Sequence, residues 1–270
     1  MYKLISLDMD NTTLNPEHKI SDRTKKTLQK AHNKGVKIII NTGRTYEEVK
    51  SYISELDFAD YIVTSNGSVV FDKLNDTFHQ VNNLDKIYVD ECHNICKKYN
   101  DKLMLLVAGE RDCYSDLVYK NSEAKPMFEK IVGISINMEE NILEFFENKF
   151  IGKAVIIGER KSLEIVKHNM ENIFKDSVQL KYSLECALEV LSPCMDKSEG
   201  VNWVLEKLGI SSNEIIAIGD GENDIGMIKQ ASLGIAMSNA CESLKKVADY
   251  ITLSNSEDGV AHAVEKFVLS

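Results

Sequence analysis

The sequence predicts an α/β protein with a doubly wound, mainly parallel sheet that is interrupted by an inserted α+β domain. Short apolar runs alternate with helical patterns at both ends of the chain, which is the spacing of βαβ units. Between residues 84 and 188 neighbouring strand patterns follow one another without a helix between them, which is typical of an antiparallel sheet. We therefore predict a core domain formed by residues 1–83 and 189–270 and an inserted domain formed by residues 84–188.

The first part of the core alternates regularly between strand and helix. After an apolar opening strand at Leu4–Leu7, Ser21 is a good N-cap for the next helix and Gly35 is well placed to end it. The runs Val36–Ile40 and Tyr61–Thr64 are rich in β-branched residues, which favours strands buried on both faces. A helical pattern lies between them, and a small hairpin is expected after the second.

The remaining elements follow from the same periodicities. In the insertion, helices are predicted at residues 84–99 and 162–174, and strands at residues 103–107, 112–118, 151–158, 178–182 and 187–191. An acidic piece around residues 138–147 also has a helical pattern. The core alternation resumes at Asp196, where Glu199 three residues later resembles a capping box. Three more strands are predicted at residues 214–218, 233–237 and 250–253. They alternate with helices, and the last helix is predicted at residues 258–267.

Composition excludes several classes of protein. The chain has 270 residues, of which 43% are hydrophobic and 27% charged, as in ordinary globular domains. A net charge of −10 without a basic stripe argues against a nucleic-acid partner, and no apolar run approaches the length of a membrane span. Six cysteines without framework spacing, in a sequence without a secretory leader, favour reduced thiols in the cytoplasm. We expect a monomer or a weak homo-oligomer.

Two carboxylates follow the opening strand. Asp8 and Asp10 begin on the same face, because side chains alternate along a strand. Like charges this close repel unless a cation or a shared proton lies between them. The pair could bind Mg²⁺, which prefers oxygen ligands, or could act as nucleophile and acid/base. An ordinary turn after a strand would explain the same residues, but a second acidic cluster, Gly219-Asp220-Gly221-Glu222-Asn223-Asp224, favours a site.

Other polar groups also follow predicted strands. Thr42-Gly43 and Asn66-Gly67 each lie just past a strand, and Lys197 is at the start of a helix. Ligands of an open parallel sheet bind outside the carboxyl ends of its strands, where these groups would converge. Taken singly, Lys197 could be a solvated lysine, and Asn66-Gly67 is a common turn signal.

Together, these segments resemble a known set of motifs. Asp8-Met9-Asp10-Asn11-Thr12, Thr42-Gly43-Arg44, Lys197 and the acidic cluster at 219–224 are similar, in order, to the four motifs of the haloacid dehalogenase-like phosphohydrolases. The chain resembles the Cof-type phosphatases among them, which also carry an insertion of roughly a hundred residues after the second motif, the size of a small domain. Asn11 and Ser198 depart from the pattern, which has glycine there, although asparagine accepts the left-handed turn geometry.

The resemblance implies a Mg²⁺-dependent phosphatase of small phosphorylated metabolites, either sugar phosphates or phosphorylated cofactors. Asp8 would be the nucleophile that forms an aspartyl-phosphate, and Asp10 would be the general acid and then the general base. Mg²⁺ would be bound by Asp8, the Asp10 carbonyl, Asp220 and Asp224. Phosphate would be bound by Thr42, Gly43, Lys197, Asn223 and Asn66, with Lys197 also neutralising Asp8. Thr12 would support the turn, and Arg44 would be structural or peripheral.

Three alternatives remain open from the sequence. A phosphomutase would pass the phosphoryl group from the aspartate to a second hydroxyl instead of to water. A receiver-like signalling module has a phosphorylated aspartate on a parallel sheet, but it is shorter and needs no insertion. A catalytically silent phosphate-binding protein would gain nothing from keeping both Asp8 and Asp10. In the phosphatase, the inserted domain is expected to close over the site, exclude water and select the substrate.

Overall fold

A computed structural model of the chain describes residues 2–99, 102–132 and 135–270. The backbone divides into two compact units. The first comprises Met1–Arg44, Ser51–Val81 and Asp196–Ser270, and the second comprises Thr45–Lys50 and Asn82–Met195. The second unit contains all of the stretch that the sequence predicts as an insertion. In the described part of the chain, none of the helices combines the length and the apolar composition needed to span a membrane.

The strands agree closely with the apolar runs of the sequence. In chain order they are β1 (Leu4–Asp8), β2 (Lys37–Asn41), β3 (Tyr61–Thr64), β4 (Val69–Asp72), β5 (Thr77–Gln80), β6 (Met104–Ala108), β7 (Cys113–Asp116), β8 (Asn137–Glu139), β9 (Lys153–Ile157), β10 (Gln179–Leu184), β11 (Ala187–Leu191), β12 (Ile215–Gly219), β13 (Leu233–Ala236) and β14 (Tyr250–Ile251).

The helices lie between these strands. They are α1 (Asp22–Asn33), α2 (Tyr46–Ile53), α3 (Lys86–Lys98), α4 (Ala124–Val132), α5 (Ile142–Phe145), α6 (Arg160–Phe174), α7 (Lys197–Leu208), α8 (Ile225–Gln230), α9 (Glu242–Lys245) and α10 (Gly259–Val264). As predicted, Ser21 caps α1, because its side chain accepts a hydrogen bond from the Thr24 N–H. Asp196 caps α7 by accepting from the Ser198 N–H at 2.8 Å.

The first unit is built on a sheet that has eight strands in the described residues, in the order β14-β13-β12-β1-β2-β3-β4-β5. All neighbours are parallel from β14 to β3, whereas β4 runs antiparallel to both β3 and β5. The predicted mainly parallel α/β fold and its hairpin are therefore confirmed. β1 lies between β12 and β2 and is buried along its whole length, so its carboxyl end lies in the middle of the sheet edge.

The second unit contains a sheet of six strands in the described residues, in the order β10-β11-β9-β6-β7-β8. Its neighbours are antiparallel except for β7 and β8, which are parallel. The helices α3 and α6 pack on this sheet and share one apolar core with it, to which they contribute Val89, Cys92, Ile95, Leu163, Val166 and Met170. This agrees with the predicted α+β character of the insertion.

Local capping explains one difference from the predicted elements. The acidic piece at residues 138–147 is predicted as helix, but its first part belongs to the strand β8, which pairs with β7. The helix α5 begins only after Asn141, whose side chain accepts hydrogen bonds from the N–H groups of Leu143 and Glu144. A helix is also predicted at residues 240–247, before β14, but the observed helix α9 covers only Glu242–Lys245.

Candidate active site

Asp8 is the last residue of β1 and is buried. The chain then makes a tight turn over Met9–Thr13, in which the Thr13 hydroxyl donates a hydrogen bond to the Asp8 carbonyl at 2.6 Å. Asn11 has φ 56° and ψ 5°, the left-handed conformation that the sequence analysis expects it to tolerate. Because the strand ends at Asp8, the alternation of side chains along a strand no longer determines where Asp10 points.

Two distant asparagines fix this turn. The side-chain amide of Asn239 donates to the Asn11 carbonyl at 2.9 Å, and that of Asn255 donates to the Leu14 carbonyl at 2.9 Å. The Asn255 N–H also donates to the Asn239 side chain at 3.0 Å. The carboxyl end of β1 is therefore fixed by loops from the last part of the chain.

Lys197, the first residue of α7, is buried and lies against Asp8. Its ammonium group donates to Asp8 Oδ1, and to Asp224 Oδ1 at 2.6 Å. The interpretation of Lys197 as a solvated lysine is therefore wrong. A close backbone approach makes this position possible, since a Cβ atom on Gly67 would lie 2.2 Å from the Asp196 carbonyl oxygen. From the other side, the buried amide of Asn41 donates to the Lys197 carbonyl at 2.9 Å.

Burial and neighbouring charges change the acidity of this pair. Burial raises the pKa of Asp8 well above its usual value, the Asp224 carboxylate raises it further, and Lys197 only partly opposes both. Burial also opposes the charge on Lys197, but the carboxylates of Asp224 and Asp8 outweigh it and raise the pKa of the ammonium group. The carboxylates therefore favour the cationic form of Lys197, and additional positive charge near Asp8 would favour its ionised form.

The second acidic cluster completes this arrangement. Asp224 Oδ2 accepts hydrogen bonds from the N–H groups of Asp220 and Gly221, both at 2.9 Å. Gly219 permits this contact, because a Cβ atom there would lie 2.6 Å from the Asp224 carboxylate carbon. The Thr12 hydroxyl donates to Asp220 Oδ1 at 2.9 Å, so Thr12 orients a site carboxylate rather than only the turn. Burial, followed by the charge of Asp224, raises the pKa of Asp220.

These carboxylates form a group that fits a metal ion. Oxygen atoms of Asp8, Asp220 and Asp224 lie within 4.8 Å of one another, in the one such group found among the described residues. The second carboxylate oxygen of Asp8, Oδ2, is buried and has no hydrogen-bond partner there. A buried carboxylate oxygen without a partner is costly, and a cation would satisfy it. An all-oxygen donor set suits a hard cation such as Mg²⁺.

The predicted phosphate-binding residues meet beside this group. The Asn66 N–H donates to the Thr42 carbonyl at 3.1 Å, and the Asn223 amide donates to Asn66 Oδ1 at 3.4 Å. A Cβ atom on Gly43 would lie 2.9 Å from the same Asn66 oxygen. Thr42, Gly43, Asn66 and Asn223 thus form one polar cluster.

Arg44 makes a contact that its sequence pattern does not predict. Its guanidinium donates two hydrogen bonds to the Asp10 carboxylate, at 3.0 Å from Nε and 2.5 Å from Nη2. The interpretation of Arg44 as structural or peripheral is therefore incomplete. The prediction that β1 and β2 belong to one βαβ unit could have placed the two residues at neighbouring strand ends. Asp10 itself lies outside the group of three carboxylates, and its side chain is 38% exposed.

Comparison with known proteins places this geometry in context. The family model of the haloacid dehalogenase-like hydrolases matches residues 5–264. The chain is 31% identical over 269 residues to the 5-amino-6-(5-phospho-D-ribitylamino)uracil phosphatase YcsE of Bacillus subtilis, covering 99% of this chain and 96% of the relative.

Solved structures give the same result. A haloacid dehalogenase-like hydrolase from Bacteroides thetaiotaomicron is 29% identical, with a TM-score of 0.85, over 98% of this chain and 99% of the other. The structure of TM0651 from Thermotoga maritima has a TM-score of 0.86 at 23% identity, over 99% of this chain and 98% of the other, and so supports the fold alone.

Proposed function

Because the chain belongs to the haloacid dehalogenase-like hydrolases, we propose that it is a Mg²⁺-dependent phosphatase that hydrolyses small phosphorylated metabolites through an aspartyl-phosphate on Asp8. The family match confirms the resemblance on which this expectation rests, and with it the predicted enzyme class, a phosphoric monoester hydrolase. The observation that carries the proposal is the environment of Asp8. One of its oxygens is paired with a buried lysine, and the other is buried without a partner among the described residues.

Asp8 would act as the nucleophile. Its oxygen bonds to phosphorus while the bond from phosphorus to the substrate oxygen breaks, which leaves an aspartyl-phosphate and an alcohol. Lys197 contacts the Asp8 carboxylate and would neutralise charge on the phosphoryl group as a point charge. Thr42, Gly43, Asn66 and Asn223 would bind and orient the phosphoryl oxygens, which is most of what phosphoryl transfer requires of a protein.

Asp10 would transfer protons in both steps. It would first protonate the leaving oxygen, and then accept a proton from the water that attacks the aspartyl-phosphate, releasing phosphate and regenerating Asp8. Its partly exposed carboxylate is accessible to water, as the second step requires.

Asp8, Asp220, Asp224 and the Asp10 carbonyl would hold the metal ion. When bound, Mg²⁺ supplies positive charge that brings phosphate to Asp8 and stabilises charge in the transition state. The three carboxylates and one lysine leave an excess of negative charge in a buried place, which a divalent cation offsets. Thr12 and the N–H groups that bind Asp224 would keep these ligands in position.

The substrate class is inferred from a relative and from the family. The relative that is 31% identical is named for a phosphorylated ribityl compound, so the panel of substrates should include that compound with hexose and pentose phosphates and pyridoxal phosphate. A cytoplasmic location and a monomeric or weakly homo-oligomeric state complete the proposal. All six cysteines are free, which suits a reducing compartment.

Release of phosphate across this panel, with Mg²⁺ or with EDTA, tests the proposal. Asp8→Asn should lower release by about 10⁴-fold or more, because the amide is not a nucleophile. Asp72→Asn is a matched control in the same unit, since Asp72 is also buried but accepts hydrogen bonds from the N–H groups of Leu74 and Asn75 in a turn. Asp72→Asn should lower stability and keep turnover. Metal-independent release, or full activity of Asp8→Asn, would refute the proposal.

A further inference from the structure

The Asp10 carboxylate depends on one side chain for its hydrogen bonds. Both bonds come from the Arg44 guanidinium, and within residues 2–99, 102–132 and 135–270 no other group donates to it. A guanidinium presents two parallel N–H groups that match the two oxygens of a carboxylate, which fixes direction as well as distance. A partly exposed aspartate without such a partner would exchange among several rotamers in water.

Arg44 is itself held in place. Its N–H donates to the Thr42 hydroxyl at 3.2 Å, and its carbonyl accepts from the Ser65 N–H at 2.8 Å. Its guanidinium carbon lies 5.6 Å from the centroid of the Tyr52 ring, within the range of a cation–π contact. The guanidinium therefore extends from the same loop that supplies Thr42 and Gly43 to the phosphate cluster.

We propose that Arg44 is a positioning residue for Asp10, and that it holds this carboxyl group where the leaving oxygen and the attacking water must meet it. The inference rests on the proposed phosphatase function. In the first step the Asp10 proton passes to the substrate oxygen as its bond to phosphorus breaks and the bond from Asp8 forms. In the second step a proton of water passes to Asp10 as the water oxygen bonds to phosphorus and the bond from Asp8 breaks.

The contact is compatible with both states of Asp10. When both carboxylate oxygens are free of protons, they accept the two hydrogen bonds of Arg44. When one oxygen carries the proton, the other can still accept one of them, so the carboxyl group stays on the same side of the loop. Both steps use one carboxyl group, and misplacement by about 1 Å can cost 10²-fold in rate. A side chain that keeps Asp10 in place therefore contributes to both steps.

The test compares substrates that need an acid with one that does not. An alkyl phosphate, such as a hexose phosphate, needs a proton on its leaving oxygen, whereas p-nitrophenolate leaves without one. We would measure kcat/KM, which covers the steps up to formation of the aspartyl-phosphate, in the full chain with saturating MgCl₂. Arg44→Ala should lower kcat/KM about 30-fold for the alkyl phosphate and less than about 3-fold for p-nitrophenyl phosphate, since a misplaced acid loses only part of the 10²–10⁴-fold that general acid catalysis contributes.

Two further variants distinguish positioning from other roles. Arg44→Lys keeps the charge but cannot donate two parallel hydrogen bonds. Its kcat/KM for the alkyl phosphate should therefore lie between that of Arg44→Ala and that of the wild type. Arg23→Ala is the matched control, because Arg23 also forms a two-bond pair with a carboxylate, that of Glu265, in the same unit. It should leave the ratio between the two substrates unchanged.

A double mutant decides whether Arg44 acts through Asp10. In an Asp10→Ala background, Arg44→Ala should have almost no further effect on the alkyl phosphate. An equal loss on both substrates through a higher KM would overturn the inference and make Arg44 a substrate contact. Additive losses in the double mutant would also overturn it. If the wild type releases no phosphate from any substrate, the proposed function itself is wrong. If the wild type is active but Arg44→Ala lowers kcat/KM equally for both substrates, only the role of Arg44 is wrong.

Discussion

Each of the two units contains a buried lysine that is paired with a carboxylate, but only one of these lysines lies at the candidate site. Lys197 in the first unit is 1% exposed and Lys153 in the second unit is 5% exposed. Lys197 donates to both Asp8 and Asp224, with Asp220 beside them, whereas Lys153 donates to Glu189 on a neighbouring strand. Burial and pairing of a lysine are thus not enough to identify a site.

The difference lies in the balance of charge and in the partners of each oxygen. Around Lys197 the carboxylates outnumber the ammonium group, and Asp8 Oδ2 has no hydrogen-bond partner in the described chain. The Lys153–Glu189 pair joins β9 to β11 on one face of the sheet, and the charge of Glu48 also favours the Lys153 ammonium group. The first arrangement favours binding of a cation and an anion, and the second favours cross-linking of two strands.

Replacing each lysine by methionine should therefore affect different properties. Lys197→Met should lower kcat about 10²–10³-fold, because it removes a preorganised positive group from the developing charge of the transition state. Phosphate release at saturating substrate is the measurement, with Lys153→Met assayed beside it. Equal losses of kcat in the two variants would contradict the distinction drawn between the two lysines.

Removing one member of the Lys153–Glu189 pair should destabilise the protein, and removing both members should restore most of the lost stability. Lys153→Met removes the ammonium group that contacts the buried Glu189 carboxylate and should lower the free energy of unfolding by about 3 kcal/mol. The double variant Lys153→Met, Glu189→Leu removes both charges and should return to within about 1 kcal/mol of the wild type. Urea unfolding followed by circular dichroism would measure both. A double variant as unstable as the single one would show that the pair itself is needed.

Metal binding should stabilise the first unit through its three aspartates. Mg²⁺ at about 100 times its Kd should raise the free energy of unfolding by about 2.7 kcal/mol, and EDTA should remove this gain. Asp220→Asn should reduce the shift in Tm strongly, whereas Lys153→Met should keep it. A shift of equal size in Asp220→Asn would place the ion elsewhere.

The smallest expected effect is a pH dependence in the second unit. Burial lowers the pKa of His93, whose ring Nδ1 lies 3.1 Å from the Tyr119 hydroxyl, and the charge of Lys97 lowers it further. As pH decreases, His93 in the unfolded chain binds a proton near its usual pKa of 6.5. In the folded chain it binds that proton only at a lower pH. The free energy of unfolding should therefore fall as pH decreases below 6.5, and His93→Gln should flatten that slope. Urea unfolding at several pH values tests this, and an unchanged slope would assign it to other groups.

The positions of the site residues could be predicted because each lies directly after a strand or at the start of a helix. Asp8 is the last residue of β1, Thr42 and Asp220 directly follow β2 and β12, and the carboxyl ends of these parallel strands lie at one edge of the sheet. Asn11 could be predicted to tolerate a left-handed conformation from its residue type alone.

Pairs that depend on register or on side-chain direction could not be predicted in this way. The Arg44–Asp10 contact requires the path of the turn after Asp8, and the Lys153–Glu189 contact requires the antiparallel register of β9 and β11. Periodicity gives the length and the buried face of a strand, but not which residue lies opposite which. The helix predicted at residues 138–147 is too long for a related reason, since its first part pairs with β7 as the strand β8 and α5 begins only after Asn141.

The central position of β1 also has a consequence for how the chain folds during synthesis. β1 pairs with β2 on one side and with β12 on the other, and β12 is made only after the whole of the second unit. Until residues 215–219 leave the ribosome, one edge of β1 lacks its partner, and unpaired apolar edges promote aggregation. Formation of the β1–β12 pair would then be a late event of high contact order, and the nascent chain before it would be a substrate for chaperones.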